Sequence, residues 1–279
     1  MRLLESYLCG KRPDPALCED GWVVTADFAA VVDGSTSKRQ TTYADLNAAP
    51  PASESGGRQA MRTTVSALRA LPSTATGHET VGRLTAALRR LWPEGAREQA
   101  ALRPTCSAVI YSRERREVWM IGDCQCRFDG RTRTNPKLVD AILTQVRCDI
   151  VSYALSHGKT PADIRRHDPG RAFIYGALRD QTNFQNVGDT ANPYRYGVLD
   201  GADVPAEAVK VIAIGPATER LILASDGYPE VCDTLAESEA RLAHLLHDDP
   251  LCIGPLAGTK GLMAGNRSFD DRTYLSLQL

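Results

Sequence analysis

The chain has 279 residues, 43% apolar and 24% charged, with a formal net charge of −1. That is ordinary globular composition; it offers no charge excess for nucleic acid or anionic lipid, and no apolar run approaches the roughly 18 residues of a membrane span. One domain over 1–279 is expected, since a chain of this length buries roughly 75% of its unfolded surface without disulfide staples.

The start (MRLLESYLCGKRPDP) is too short and too polar for a signal peptide, which predicts a cytoplasmic location. Residues 23–32 (VVTADFAAVV) are two β-prone runs about a polar turn, hence a hairpin. A polar loop over 34–51 follows. Met61, Val65, Leu68 and Leu71 then recur at helical spacing, predicting a helix over 53–71 begun by a Ser cap. A second amphipathic helix over 78–92 carries Val81, Leu84, Leu88 and Leu91 on one face. Residues 105–111, 117–121 and 124–128 read as three successive strands of a meander, joined by the charged turn 113–116 and by Gly122 and Asp123. A long helix over 135–155 has Leu138, Ile142, Val146 and Ile150 at about one-turn intervals, with a Pro near its first turn. Short helices follow over 161–166 and 168–183, and 194–199, 209–214 and 219–225 return to β character. A helix over 237–247 and a strand over 272–279 close the chain.

This order lacks regular βαβ alternation, which disfavours a doubly wound sheet. The predicted class is α+β: a four-layer α/β/β/α sandwich with two central antiparallel sheets and helices on the outer faces.

Several features point away from chemistry. The eight cysteines include no C-x-x-C pair, so zinc is disfavoured and buried reduced thiols are expected. The five histidines fall mostly on predicted helices or their ends. Residues 254–261 (GPLAGTKG) lack the order and preceding strand of a phosphate loop, and read as a surface turn. The runs 113–116 (RERR) and 165–168 (RRHD) read as solvated charge.

Four acids stand out because each sits where a β-like run meets a turn. They are Asp33 in 28–34 (FAAVVDG), Asp123 in 118–123 (VWMIGD), Asp226 in 221–227 (LILASDG) and Asp270 in 268–277 (SFDDRTYLSL). Singly, an Asp-Gly pair is a common turn. Together, carboxylates at apolar strand ends need solvent, a partner or a cation, and a shared cation site is the expectation. Oxygen ligands without His favour Mg²⁺ or Mn²⁺. Two such ions about 3.5–4 Å apart can orient a phosphoryl group for in-line attack.

The same residues lie in motifs that resemble the metal-dependent protein phosphatases, the PPM family of type 2C serine/threonine phosphatases. Cys18, Glu19 and Asp20 resemble the early M-E-D or N-E-D element, and VVDG at 31–34 the V-x-D-G element. PTCSA at 104–108 resembles G-S-T-A, and MIGDCQ at 120–125 the strand ending in V-G-D-S-R. LILASDGYPEV at 221–231 is similar to L-I-L-A-S-D-G-L-W-D-V, and SFDDRT at 268–273 to the closing S-x-D-N-I-T. The six elements come in family order over nearly the whole chain.

The resemblance implies a hydrolase acting on phosphoserine or phosphothreonine in proteins through a water or hydroxide that bridges two Mg²⁺ or Mn²⁺ ions, with a third ion possible. Asp33 would bridge the ions, with the Gly34 carbonyl as a further ligand, and Asp226 and Asp270 would ligate one ion of the pair and complete the catalytic set. Glu19 and Asp20 would hold waters of the second ion, and Asp123 and Glu230 match the positions of a third. Glu230 has an alternative role as a helix cap. The chain departs from the family pattern at Pro15, where an Arg usually grips the phosphate, and Arg12 lies three positions too early. Ser35 replaces the usual His, Lys38 and Arg39 are candidates for the missing positive charge, and Asp271 replaces an Asn. Two alternatives remain: a phosphomonoesterase for small molecules, and a non-catalytic relative that binds a partner. The Ala/Arg-rich composition resembles that of a bacterial protein.

Overall fold

The computed structural model describes residues 1–36, 38 and 54–279. The first strands are β1 (Arg2–Cys9), β2 (Asp20–Val24) and β3 (Phe28–Gly34). Helices α1 (Gly56–Arg69) and α2 (Gly77–Arg89) follow, then β4 (Cys106–Ser112), β5 (Glu117–Ile121), β6 (Gln125–Phe128) and β7 (Arg131–Arg133). Three helices come next: α3 (Leu138–Ser156), α4 (Pro161–Arg166) and α5 (Pro169–Asp180). The chain closes with β8 (Lys210–Ala213), β9 (Arg220–Ala224), α6 (Leu235–Asp248) and β10 (Arg272–Gln278).

These strands form two antiparallel sheets, ordered β1-β10-β9-β6-β7 and β2-β3-β4-β5-β8. Period-two alternation assigns their faces. In β3, Val31 points inward to Val109, Met120, Leu223 and Leu275 between the sheets. Its neighbour Val32 points outward to a second core, where Leu68, Leu84 and Leu88 of α1 and α2 cover Ile110 and Trp119. On the far side, Leu242 of α6 packs on Ile222, Ala224 and Tyr274. The layers are thus helix, sheet, sheet, helix.

Local chemistry fixes where these helices begin. Ser55 caps α1 by accepting from the Arg58 N–H, in place of the predicted start at Ser53, which lies outside the described residues. Thr76 with Glu79, and Thr234 with Glu237, form reciprocal capping boxes at α2 and α6. Helices α3 and α5 pack on each other through Val139, Leu143, Ile174 and Leu178. Arg147 of α3 is fully buried: it pairs with Asp168 at 2.8 Å and donates to the carbonyls of Leu251, Cys252 and Gly258.

Some expectations are corrected. The meander breaks at Gly122, whose φ of 85° turns the chain out of β5 and into the other sheet, so β6 pairs with β9 and β7 rather than with β5. Residues 194–199 make only isolated bridges, Gln185 to Tyr196 and Cys106 to Leu199. Strand β1 was not foreseen, because as a sheet edge it leaves Leu3, Leu4 and Leu8 exposed, and its sequence (RLLESYLC) does not alternate apolar with polar residues. The run 165–168 is not simply solvated, since Asp168 is the buried partner of Arg147. Nor is 113–116, where Arg116 donates to the carbonyls of Ile214, Gly215 and Thr218. All eight cysteines are unpaired.

Candidate metal centre

The topology brings four strand ends to one end of the sandwich. Asp33 is the penultimate residue of β3, opposite Ser107 of β4. Asp123 lies just past β5, Asp226 just past β9, and Asp270 just before β10, which pairs with β9. The four aspartates line one cavity of about 110 Å³ together with Lys38, Lys137, Lys260 and Arg171. Close backbone packing sets their positions. A Cβ on Gly34 would stand 2.4 Å from the Gly57 carbonyl oxygen at the start of α1, so only glycine lets that helix approach.

Charge within the cavity is unevenly compensated. Burial pushes Asp123 upward, but Lys137 at 2.6 Å and a hydrogen bond from Ser107 Oγ at 2.6 Å bring it below the usual carboxylate range. Burial likewise opposes ionisation of Asp270, and is overcome by Lys260 and Lys11, which hold it well below its ordinary value. Asp33 and Asp226 have no such ion pair: burial drives both well up, Asp20 adds to Asp33 and Asp33 adds to Asp226, against a smaller opposing pull from the Asp226 hydrogen bond on Asp33 and from Lys260 on Asp226. Their side chains are in hydrogen-bonding contact, while Asp226 Oδ1 is buried with no partner. Lys38 is pushed down to about 8 by burial and by Lys137 and Arg171.

Asp33, Gly34, Asp123, Asp226, Asp270 and Lys38 therefore meet around one cavity. Glu19 and Asp20 stand behind it. Glu19 accepts from Ser55 Oγ at 2.7 Å, and Asp20 lies across the β2–β3 pair from Asp33. Burial and Asp271 push Asp20 up to about 8, and its Oδ2 accepts from Thr273 Oγ1 at 2.9 Å. Glu230 is not brought there. It is exposed in a separate open groove, held by Arg241 Nε and Nη2 at 2.7 and 2.8 Å. Arg12 is exposed and does not line the cavity, and Arg39 lies outside the described residues.

Apart from Lys38, the cations that reach the site were missed by sequence reasoning. Lys137 is the N-cap of α3 and Arg171 lies in the first turn of α5. Lys260 comes from the segment read as a surface turn, and Lys11 from just past the unforeseen β1.

The donor set suits a hard divalent cation: carboxylate and carbonyl oxygens, a partnerless buried oxygen on Asp226, and no histidine. Among the described residues, no three His, Cys, Asp or Glu side chains are grouped so as to hold a metal ion by themselves. Mg²⁺ is commonly bound by one or two carboxylates with waters and phosphate oxygens completing the shell, and Asp33 with Asp226 meets that requirement. No helix among the described residues is long and apolar enough to cross a membrane.

No family model matches the chain, and no curated protein matches it. Solved structures similar to it include the serine/threonine phosphatase PstP/Ppp of Mycobacterium tuberculosis, at 16% identity and a TM-score of 0.45, covering 100% of this chain and 99% of that one. Stp1, a serine/threonine phosphatase from Staphylococcus aureus, aligns at 12% identity and a TM-score of 0.49, covering 100% and 96%. The PPM Ser-Thr phosphatase MsPP from Mycobacterium smegmatis, in complex with cacodylate, aligns at 16% identity and a TM-score of 0.46 over 100% of both chains.

Proposed function

We propose that this chain is a divalent-cation-dependent phosphatase that removes phosphate from phosphoserine and phosphothreonine in proteins, acting as one domain. The observation that carries the reading is the convergence of Asp33, Asp123, Asp226 and Asp270 on a cavity that also collects Lys38, Lys137 and Lys260. A cavity holding both signs suits a phosphate ester: the cations attract the anion, and the uncompensated carboxylates take the metal that accompanies it. The ordered PPM-like motifs supply the same residues.

Asp33 and Asp226, with the Gly34 carbonyl, would hold Mg²⁺ or Mn²⁺. Such an ion polarises a phosphoryl oxygen and lowers the pKa of water when bound. Asp123 is held ionised by Lys137 and oriented by Ser107, so it can accept a hydrogen bond from a water placed for in-line attack. Lys38, on the loop after β3, faces the same cavity and would draw in the phosphate. A cytoplasmic bacterial setting belongs to the proposal, supported by eight unpaired cysteines.

The test is hydrolysis of p-nitrophenyl phosphate and a phosphothreonine peptide with Mn²⁺ or Mg²⁺, repeated with chelator and with Asp226→Asn. Turnover that needs metal and vanishes in the variant is expected. No turnover with either ion, or turnover indifferent to chelator and variant, would sink the reading. Faster turnover of phosphorylated metabolites than of the peptide would move the substrate to small molecules.

A further inference from the structure

Lys11 has the surroundings of a bound cation. Its side chain is only 10% exposed, and its Nζ lies 3.5 Å from Glu19 Oε2, 3.2 Å from Asp270 Oδ1 and 3.3 Å from Asp271 Oδ2. Thr36 Oγ1 adds a fourth oxygen at 3.3 Å. The backbone beneath is pinned on both sides: the Lys11 N–H donates to Asp271 Oδ1 at 2.7 Å, and its carbonyl accepts from the Arg267 N–H at 2.8 Å. Asp271 is fixed in turn by the Glu19 N–H at 3.1 Å. A loop, a strand end and three acids are therefore built around one ammonium group.

The rest of the cavity is compensated in a complementary way. Lys137 answers Asp123, and Lys260 answers the second oxygen of Asp270. Asp33 and Asp226 form no ion pair with any described Lys or Arg, and one Asp226 oxygen has no partner at all. Two adjacent carboxylates without an ion pair suit one divalent ion.

We infer that Lys11 is a resident cation of this centre, holding Glu19, Asp270 and Asp271 together in place of a second divalent ion, so that the chain binds a single ion on Asp33 and Asp226. The inference rests on the reading of the cavity as a divalent-cation site. A tethered ammonium keeps the acids in register without any metal, but it is not a Lewis acid. Any ion held by Asp33 and Asp226 would then supply the Lewis-acid chemistry alone.

Calorimetric titration of the intact protein with Mn²⁺, together with the electron paramagnetic resonance spectrum of the bound ion, tests this without reference to turnover. The expected result is one ion per chain with an uncoupled spectrum, and a second ion admitted by Lys11→Ala. Two ions per wild-type chain, or a spin-coupled pair, overturn the inference while leaving metal-dependent phosphatase activity intact. One bound ion without hydrolysis would instead overturn the functional proposal alone. A folded Lys11→Ala that still takes one ion at unchanged affinity also overturns the inference; if that variant does not fold, the wild-type stoichiometry decides.

Discussion

Asp33 and Asp226 touch through their carboxyl groups although they belong to different sheets, Asp33 in β3 and Asp226 just past β9. With both pushed upward by burial, the pair shares a proton unless a cation is bound. Asp226→Asn is therefore expected to raise the melting temperature of the metal-free protein by relieving repulsion. The same change should cut metal-dependent turnover by more than the about 10–100-fold typical of losing an outer partner of a metal ligand. Thermal melts in chelator and initial rates in Mn²⁺ check both halves; a variant that melts lower and keeps its rate contradicts the arrangement.

Asp20 supplies a pH dependence. Its folded value is pushed up to about 8, above that of the unfolded chain, so its contribution to stability is whole at low pH and is lost as pH rises through about 8. Metal-free Asp20→Asn should therefore gain on the wild type from acidic pH up to about 8 and keep a constant lead beyond it. Urea denaturation of both proteins across that range measures the difference. A lead independent of pH would show that Asp20 does not titrate in this window.

Lys137 and Asp123 are expected to act as a unit. Their 2.6 Å ion pair is largely screened from solvent, so removing either partner strands the other. A double-mutant cycle of Asp123→Asn and Lys137→Met should give a coupling of about 0.5–3 kcal/mol in unfolding free energy. Additive single effects would mean that the contact contributes nothing.

Arg147 ties the segment carrying Lys260 to α3. Its guanidinium holds Asp168 and three carbonyls at 2.8–2.9 Å with no solvent exposure. Arg147→Met leaves Asp168 charged and buried, and should cost about 3–5 kcal/mol. Hydrogen exchange over 250–262 is expected to accelerate before the sandwich itself opens. Uniform acceleration across the protein would show that this segment has no separate anchor.

What could be read from the chain and what could not divide along physical lines. Asp33, Asp123, Asp226 and Asp270 were visible because an acid at the end of an apolar run is locally anomalous. The departure at Gly122 was visible as a break, but a break does not say which sheet receives the chain. Lys11 and Lys260 were hidden because each acts on an acid more than one element away, or from a turn with no periodic signal. Glu230 was misplaced by motif likeness alone: the acid is present, but Arg241 on α6 claims it at the surface. A matching letter fixes a side chain's identity and leaves its neighbours to tertiary structure.

Each sheet contributes two of the four cavity aspartates, so the greasy seam at Val31, Met120, Leu223 and Leu275 doubles as an alignment bearing. A slip of about 1 Å along that seam would leave both sheets intact yet pull the ligands out of reach of a common guest. Apolar substitutions buried between Met120 and Leu223 are thus able to silence the cavity without touching any of the acids.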